Sequence, residues 1–331
     1  MVKRVGYLME KVADLDNLYL AYLKARRGKR DSESVREYEK NLHESIAKLR
    51  VQFLSGGVPV GDYSYFKIFD PKERLICAAP FPERVMHHAL MNILHPYFDR
   101  HLIPDTYATR MGKGVYAALS RAKYGMKSCR YVAKLDVRKY FDSIHHDVLK
   151  DKLRRMFKDP ALLSLMDKII DSYEVLPNQG LPIGNLTSQY FANHYLSRLD
   201  HWLVDVVRVP VYVRYMDDIL VFGDNREELL SLVRQIRSLV REQECLEFKP
   251  ELLHPTSFGI PFLGYKLFPN RLLLNGRSKR RFKEKLKLYN SLLSKGTWSQ
   301  QDYYEHITPL CSFVQKADSI QFRRNVLKTV G

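Results

Sequence analysis

Cysteine is scarce in this chain. Cys77, Cys129, Cys245 and Cys311 are the four in 331 residues, far apart and without CxxC spacing. Neither a disulfide framework nor a zinc site is indicated, and the thiols read as reduced core residues. Long apolar runs are missing as well: nowhere do about 18 uncharged apolar residues follow one another, as a membrane span requires. The opening MVKRVGYLMEKVADLD has no apolar signal core. The expectation is a cytoplasmic protein with no membrane association. No internal repeat or low-complexity tract is visible, which excludes repeat arrays. Acid is also in deficit, with 37 Asp and Glu against 54 Lys and Arg, a net charge of +17. Such an excess points to a polyanionic partner, whereas general solubility would spread the charge. It is clustered instead: Lys24, Arg26, Arg27, Lys29 and Arg30 form one block, and Arg277, Lys279, Arg280, Arg281, Lys283, Lys285 and Lys287 another.

What is present is ordinary folded sequence, 45% hydrophobic and 27% charged, of a length that suggests two or three compact units. Val35, Tyr38, Leu42, Ile46, Leu49 and Phe53 recur at helical spacing behind Asp31 and Ser32, predicting one amphipathic helix over 31–54. After a Gly/Pro stretch, YFKIF and RLICAA read as short strands joined at Asp70-Pro71, and helical period returns from Glu83 to Tyr97. YVAKLDV at 131–137 reads as a strand ending in Asp136, with helix from Asp142 to Phe157 and again over Leu196–Asp205. Asp224 or Asn225 can cap a helix with the stripe Leu229, Leu232, Val233, Ile236 and Val240. Short strands around 246–274, a basic helix near 279–295 and a last helix near 302–328 complete a mixed α+β architecture.

The most informative stretch is VYVRYMDDILVFG at 211–223, two strand-like runs that place Asp217 and Asp218 at a hairpin turn. Adjacent acids on a rigid turn suit a hard divalent cation shared with substrate phosphates. Asp is equally common at polar hairpin tips, where it tolerates turn conformations. A two-metal phosphoryl-transfer site needs carboxylates from separate segments. Asp136, at a strand end, is the natural third, with the Val137 carbonyl as a further oxygen; Asp142 is a weaker candidate that can cap the following helix.

LDVRKYFDSI followed by YMDD resembles the paired palm motifs of reverse transcriptases. DPKERLICAAPFPERVMHHAL and TYATRMGKG look like the fingers motifs of bacterial members, and LEFKPE and IPFLGYKL like the lysine-bearing loop and primer grip. The resemblance implies a right-hand polymerase with fingers, palm and thumb: an N-terminal segment and fingers over 1–130, a palm over 131–274 built on an antiparallel sheet packed on helices, and a helical thumb over 275–331. It implies Asp136, Asp217 and Asp218 as ligands of two Mg²⁺ ions, for which Mn²⁺ can substitute, and Lys249 as the lysine that protonates departing pyrophosphate, or else a surface lysine. Lys72 and Arg74 match residues that grip the triphosphate, Arg having a fixed fork of donors, with Lys67 a competitor for the lysine. Phe141 matches the steric gate against a ribose 2′-OH, or is a core aromatic. Arg110 resembles the fingers arginine near the template, or is a solvated loop charge. Phe262, Leu263 and Gly264 match the primer grip, and Arg280 and Arg281 lie on the basic thumb helix along the duplex.

One motif departs from most of the family. In GLPIGNLTSQYFANHYL, Ile183 stands where a glutamine usually follows the proline, and Ser188-Gln189 replaces Ser-Pro. That pattern is similar to reverse transcriptases of diversity-generating retroelements, which copy a template-repeat RNA into cDNA with errors at adenines for mutagenic retrohoming. Ile183, Gly184 and Gln189 are then nucleotide-binding positions. An isoleucine selects by shape alone, and apolar fit discriminates by only about 1–3 kcal/mol per methylene-sized difference, unless Ile183 merely packs in the palm. The resemblance implies dNTP substrates, template RNA and RNA/DNA hybrid, and a small basic accessory protein that can be oligomeric. Retron-like, group II intron-derived and phage-defence enzymes are the alternatives.

Overall fold

A computed structural model describes residues 4–69 and 73–330. In chain order its helices are α1 (Met9–Val12), α2 (Leu15–Ala25), α3 (Glu33–Lys40), α4 (Leu42–Ser55), α5 (Phe81–His101), α6 (Val115–Ser128), α7 (His146–Met156), α8 (Pro160–Asp171), α9 (Leu186–Tyr195), α10 (Ser197–His201), α11 (Arg226–Glu244), α12 (Gly276–Ser294), α13 (Gln300–Gln315) and α14 (Ile320–Val330). The strands are β1 (Ser64–Phe69), β2 (Glu73–Ala78), β3 (Tyr131–Asp136), β4 (Val211–Tyr215), β5 (Asp218–Gly223), β6 (Leu252–Pro255), β7 (Ile260–Phe262), β8 (Tyr265–Leu267) and β9 (Leu272–Leu274), every pairing antiparallel. The chain divides into two compact units, one from 1–111, 137–207 and 235–249, the other from 112–136, 208–234 and 250–331.

The first unit is mainly helical. Asp14 caps α2 by accepting from the amides of Asp16 and Asn17, and α2 packs on α5, whose Val85, Met86, Ala89, Leu90, Leu94 and Phe98 are buried. Each such side chain contributes about 1.5–3 kcal/mol when fully buried. The single helix foreseen over 31–54 is two. Asn41 leaves the helical region at φ −123° and ψ 42°, yet Val35 and Tyr38 on one side and Ile46, Leu49 and Phe53 on the other all stay buried. Asp142 does not open a long helix either. Residues Tyr140–Ser143 form a 3-10 turn and Ile144 is extended, because the carbonyls of Phe141 and Ile144 accept from the amides of Leu181 and Gly180. The helix foreseen at 196 begins ten residues earlier as α9, then continues as α10 and a π-helical turn over Trp202–Val206. β1 and β2 form the expected hairpin, Lys67 opposite Leu75 and Ile68 opposite Arg74; its Asp70-Pro71 link lies outside the described residues.

A buried ion pair also belongs to this unit. Lys152 Nζ stands 2.7 Å from a carboxylate oxygen of Glu244, which is fully buried. Burial pushes the Glu244 carboxyl up and the Lys152 amine down, each opposed by the other's charge. Cys77 is buried as foreseen, but Cys245, immediately after α11, is exposed. Asn225, not Asp224, caps α11: its Oδ1 accepts from the amides of Glu227 and Glu228, while Asp224 accepts from the amide of Arg130.

The second unit holds a four-stranded sheet in the order β4-β5-β3-β6 and a three-stranded sheet β7-β8-β9. The strands of the first read as apolar runs, and Val132, Ala133, Leu135, Val213 and Ile219 to Phe222 are buried in its core. α6 lies against it at Gly125, where a Cβ would come 2.8 Å from the Phe222 ring. Asn275 caps the basic helix α12 and a capping box between Ser299 and Asp302 opens α13. The last helix foreseen is again two. Asp318 is drawn out to pair with β9, donating its amide to the Leu272 carbonyl and accepting the Leu272 amide on Oδ2, so helical bonding cannot continue through it.

Candidate active site

The register of β3 against β5 sets Asp136 directly opposite Asp218. The β4–β5 hairpin turns on Met216 and Asp217, with Met216 at a positive φ of 56°, so Asp217 rides the turn and Asp218 begins the next strand. All three carboxylates are half-buried. Directly opposed residues in an antiparallel pair carry Cβ atoms about 4.5–5.5 Å apart, and like charges in that relation repel. The sheet therefore concentrates negative charge at one strand end. Among the described residues no group of three or more His, Cys, Asp or Glu forms a ready metal cage. The donors present are nonetheless hard oxygens, the set that suits Mg²⁺, an ion that keeps waters and phosphate oxygens in its shell.

Two basic residues, neither foreseen, hold this strand end. Lys134, on the same strand as Asp136 and two residues before it, shares its face, and its Nζ stands 2.9 Å from Asp218 Oδ1 and donates to the Pro261 carbonyl at 3.1 Å. Arg214, on β4, is fully buried and donates to the Met216 carbonyl in the turn itself at 3.0 Å. Both were visible as single charges inside apolar strand runs, a pattern that burial permits only when the charge is paired.

In the same unit, β7 ends at Phe262, which is buried, and Leu263 and Gly264 turn the chain at φ 48° and 88°. The Gly264 carbonyl accepts from the Ser278 hydroxyl at 2.7 Å, and a Cβ there would come 2.9 Å from the Phe313 ring. The Leu263-Gly264 turn thus rests against the first turn of α12. Phe282 and Leu286 anchor that helix inward while Arg280 and Arg281 are exposed.

The remaining sequence candidates belong to the first unit. Ile183 is half-buried and Gly184 and Gln189 are exposed, while Thr187 and Ser188 between them are buried. The Ile183 carbonyl accepts from the Cys77 amide at 2.8 Å. Gly184, at φ 131°, could carry no side chain: a Cβ would fall 2.6 Å from the Cys77 carbonyl oxygen. The segment is therefore tied to the end of β2, the strand that bears Arg74. Arg74 is exposed, Lys67 is engaged with Glu73 at 2.6 Å, and Lys72 lies outside the described residues. Phe141 is half-buried while its neighbour Tyr140 is the core aromatic, its hydroxyl bonded to the Ala192 carbonyl. Desolvation raises the Asp142 carboxyl, against the lowering effect of Lys139. Val137 is buried and bridges Phe248, and half-buried Lys249 follows, its carbonyl accepting from Arg237.

Arg110 departs from expectation. Its side chain is 9% exposed, bonded to Asp99 Oδ1 and to the carbonyls of Ile103 and Thr106. It is not a solvated charge: these bonds close the loop after α5.

Comparison with known proteins agrees with the strand pattern. Over 57% of its length the chain is 24% identical to protein YkfC of Escherichia coli, covering 61% of it, and over 34% it is 23% identical to nuclear intron maturase 1, mitochondrial, of Arabidopsis thaliana, covering 15% of it. The chain thus spans less than two thirds of either relative. The fold matches telomerase from Candida tropicalis with a TM-score of 0.50 at 12% identity, covering 87% of this chain and 58% of that one. No helix among the described residues is long and apolar enough to cross a membrane. Residues 69–267 match the model of the family described as reverse transcriptase (RNA-dependent DNA polymerase), and with three fifths of its length so matched the chain belongs to that family.

Proposed function

We propose that this chain is an RNA-directed DNA polymerase that extends a DNA primer on an RNA template, using two Mg²⁺ ions held by Asp136, Asp217, Asp218 and the Val137 carbonyl. The observation that carries this reading is the β3–β5 register, which sets Asp136 across from Asp218 beside a turn bearing Asp217. When bound, such ions activate the attacking oxygen and steady the leaving one. The chain's own residues select and orient. Arg74, with Lys72, grips the triphosphate; Phe141 excludes a ribose 2′-OH; Lys249 gives a proton to pyrophosphate. Phe262, Leu263 and Gly264 position the primer, and Arg280 and Arg281 follow the duplex backbone. In this reading 1–130 act as fingers, 131–274 as palm and 275–331 as thumb.

Within the family, the reading extends to the diversity-generating class, with a template-repeat RNA as template and a small basic protein as partner. The support is Ile183 in place of glutamine together with Ser188-Gln189: a half-buried apolar side chain offers a nucleotide shape and no hydrogen bond. The test is to sequence cDNA made with Mg²⁺ on an adenine-rich RNA, with and without the candidate partner. Errors concentrated opposite template adenines support the reading; accurate synthesis moves the chain to the intron-derived branch, which the likeness to an intron maturase favours.

A further inference from the structure

We propose that Lys134 is a positioning residue that ties the carboxylate end of the sheet to the primer grip, so that Asp218 and the Phe262–Gly264 turn keep one geometry. The inference rests on the polymerase reading above and deepens it.

Lys134 is a costly residue to place where it is. Its side chain is 16% exposed and sits on a strand whose neighbours Ala133 and Leu135 are buried. A lysine there loses hydration that only specific partners replace. It has two, on different elements: Asp218 Oδ1 at 2.9 Å on β5 and the Pro261 carbonyl at 3.1 Å on β7. A residue serving only to balance the opposed Asp136 and Asp218 needs the first contact and not the second.

The second contact continues into further structure. Pro261 is the middle residue of β7, paired with Lys266 of β8, and the turn joining those strands is Leu263-Gly264. The Gly264 carbonyl accepts from the Ser278 hydroxyl at 2.7 Å, and Ser278 is in the first turn of α12, capped by Asn275. Asp218, Lys134, β7, the grip turn and the basic helix are thus one chain of short polar contacts and paired strands. Such contiguous networks are a physical means by which the position of one element constrains another. Lysine suits the task better than a neutral donor because its charge pairs with the Asp218 carboxylate while one of its N–H groups donates to the Pro261 carbonyl.

The test uses the full chain with an RNA-template/DNA-primer duplex. Duplex affinity is measured by fluorescence anisotropy in EDTA, and kcat and the dNTP KM by primer extension in Mg²⁺, for wild type, Lys134→Met and Lys134→Arg. The expected result for Lys134→Met is a fall in kcat of about tenfold with several-fold weaker duplex binding in EDTA and an unchanged dNTP KM. Lys134→Arg, which keeps the charge and the donors, should restore most of both. If Lys134→Met alters only the concentration of Mg²⁺ required and leaves duplex affinity at the wild-type value, Lys134 is a counter-ion and the proposal is overturned. Should Lys134→Met fail to fold, Ser278→Ala decides, since it breaks the same chain at its far end and must show the same split between kcat and KM. Absence of RNA-templated synthesis by the wild type would instead overturn the polymerase reading, and the EDTA binding arm would still judge Lys134.

Discussion

Two regions of this molecule hold their candidate site residues by different means. The carboxylates Asp136, Asp217 and Asp218 are placed by strand register and a two-residue turn, with Lys134 paired with Asp218 and Arg214 bonded to the turn backbone. The Ile183–Gln189 segment is placed by one backbone hydrogen bond to β2 and by a glycine that only fits because it has no side chain. The first arrangement is over-determined, since a one-residue slip would exchange the two faces of strands that are packed on both sides and carry Asp136, Asp218 and Lys134 off their partners. The second is held through its backbone to Cys77 and through buried Thr187 and Ser188, which leaves the half-buried Ile183 and the exposed Gln189 as the side chains that can vary while the backbone path is kept. Strand register places the three acids, and close backbone approach to β2 places the Ile183–Gln189 segment.

Substitutions can break or sharpen that contrast. Asp217→Ala should lower nucleotide incorporation by about a thousandfold or more, the scale on which single groups stabilising developing charge act. Circular dichroism and the melting temperature should stay near wild type, because Asp217 sits on the turn and not in the buried sheet. Gly184→Ala comes next. It forces an L side chain into φ 131° and against the Cys77 carbonyl, strain of about 1–3 kcal/mol. The expected outcome is a loss of about tenfold in kcat/KM for dNTPs, and near-wild-type kinetics would show that the tie between Ile183 and β2 is not used.

Arg214→Met tests whether the carboxylate turn needs its buried support. Leaving the Met216 carbonyl without its donor should cost about 1–3 kcal/mol in denaturant unfolding, with reduced activity even under conditions where the variant is folded. The smallest effect on rate belongs to Ile183→Gln. Incorporation of correct nucleotides should change little, while adenine-directed errors on an RNA template should fall by up to about tenfold. An unchanged error spectrum would remove Ile183 from nucleotide choice and return it to packing.

Much of this is legible in the amino-acid sequence. The two strand runs around Asp217-Asp218 and the strand ending at Asp136 follow from apolar and β-branched patterning, and the stripe of α11 from helical period. What escaped was set by partners remote in the chain. One helix over 31–54 became two at Asn41, and the last helix broke where Asp318 pairs with Leu272 of β9. Arg110 read as a fingers arginine or a solvated loop charge, and its bonds within the loop escaped notice, because its carboxylate and carbonyl partners converge only once α5 and the following loop have formed. Lys134 and Arg214 were conspicuous as charges in apolar strands, yet a strand pattern names a charge that needs a partner without naming the partner.

The amino-acid sequence by itself determined the family, the basic character and the identity of the three acids, since these depend on residue type and short spacing. Only the tertiary structure decided that Asp136 faces Asp218, that Lys134 stands between Asp218 and β7, and that Gly184 is required by the approach of Cys77. Register and close approach are properties of segments distant in the chain, and no local pattern of hydrophobicity or charge contains them.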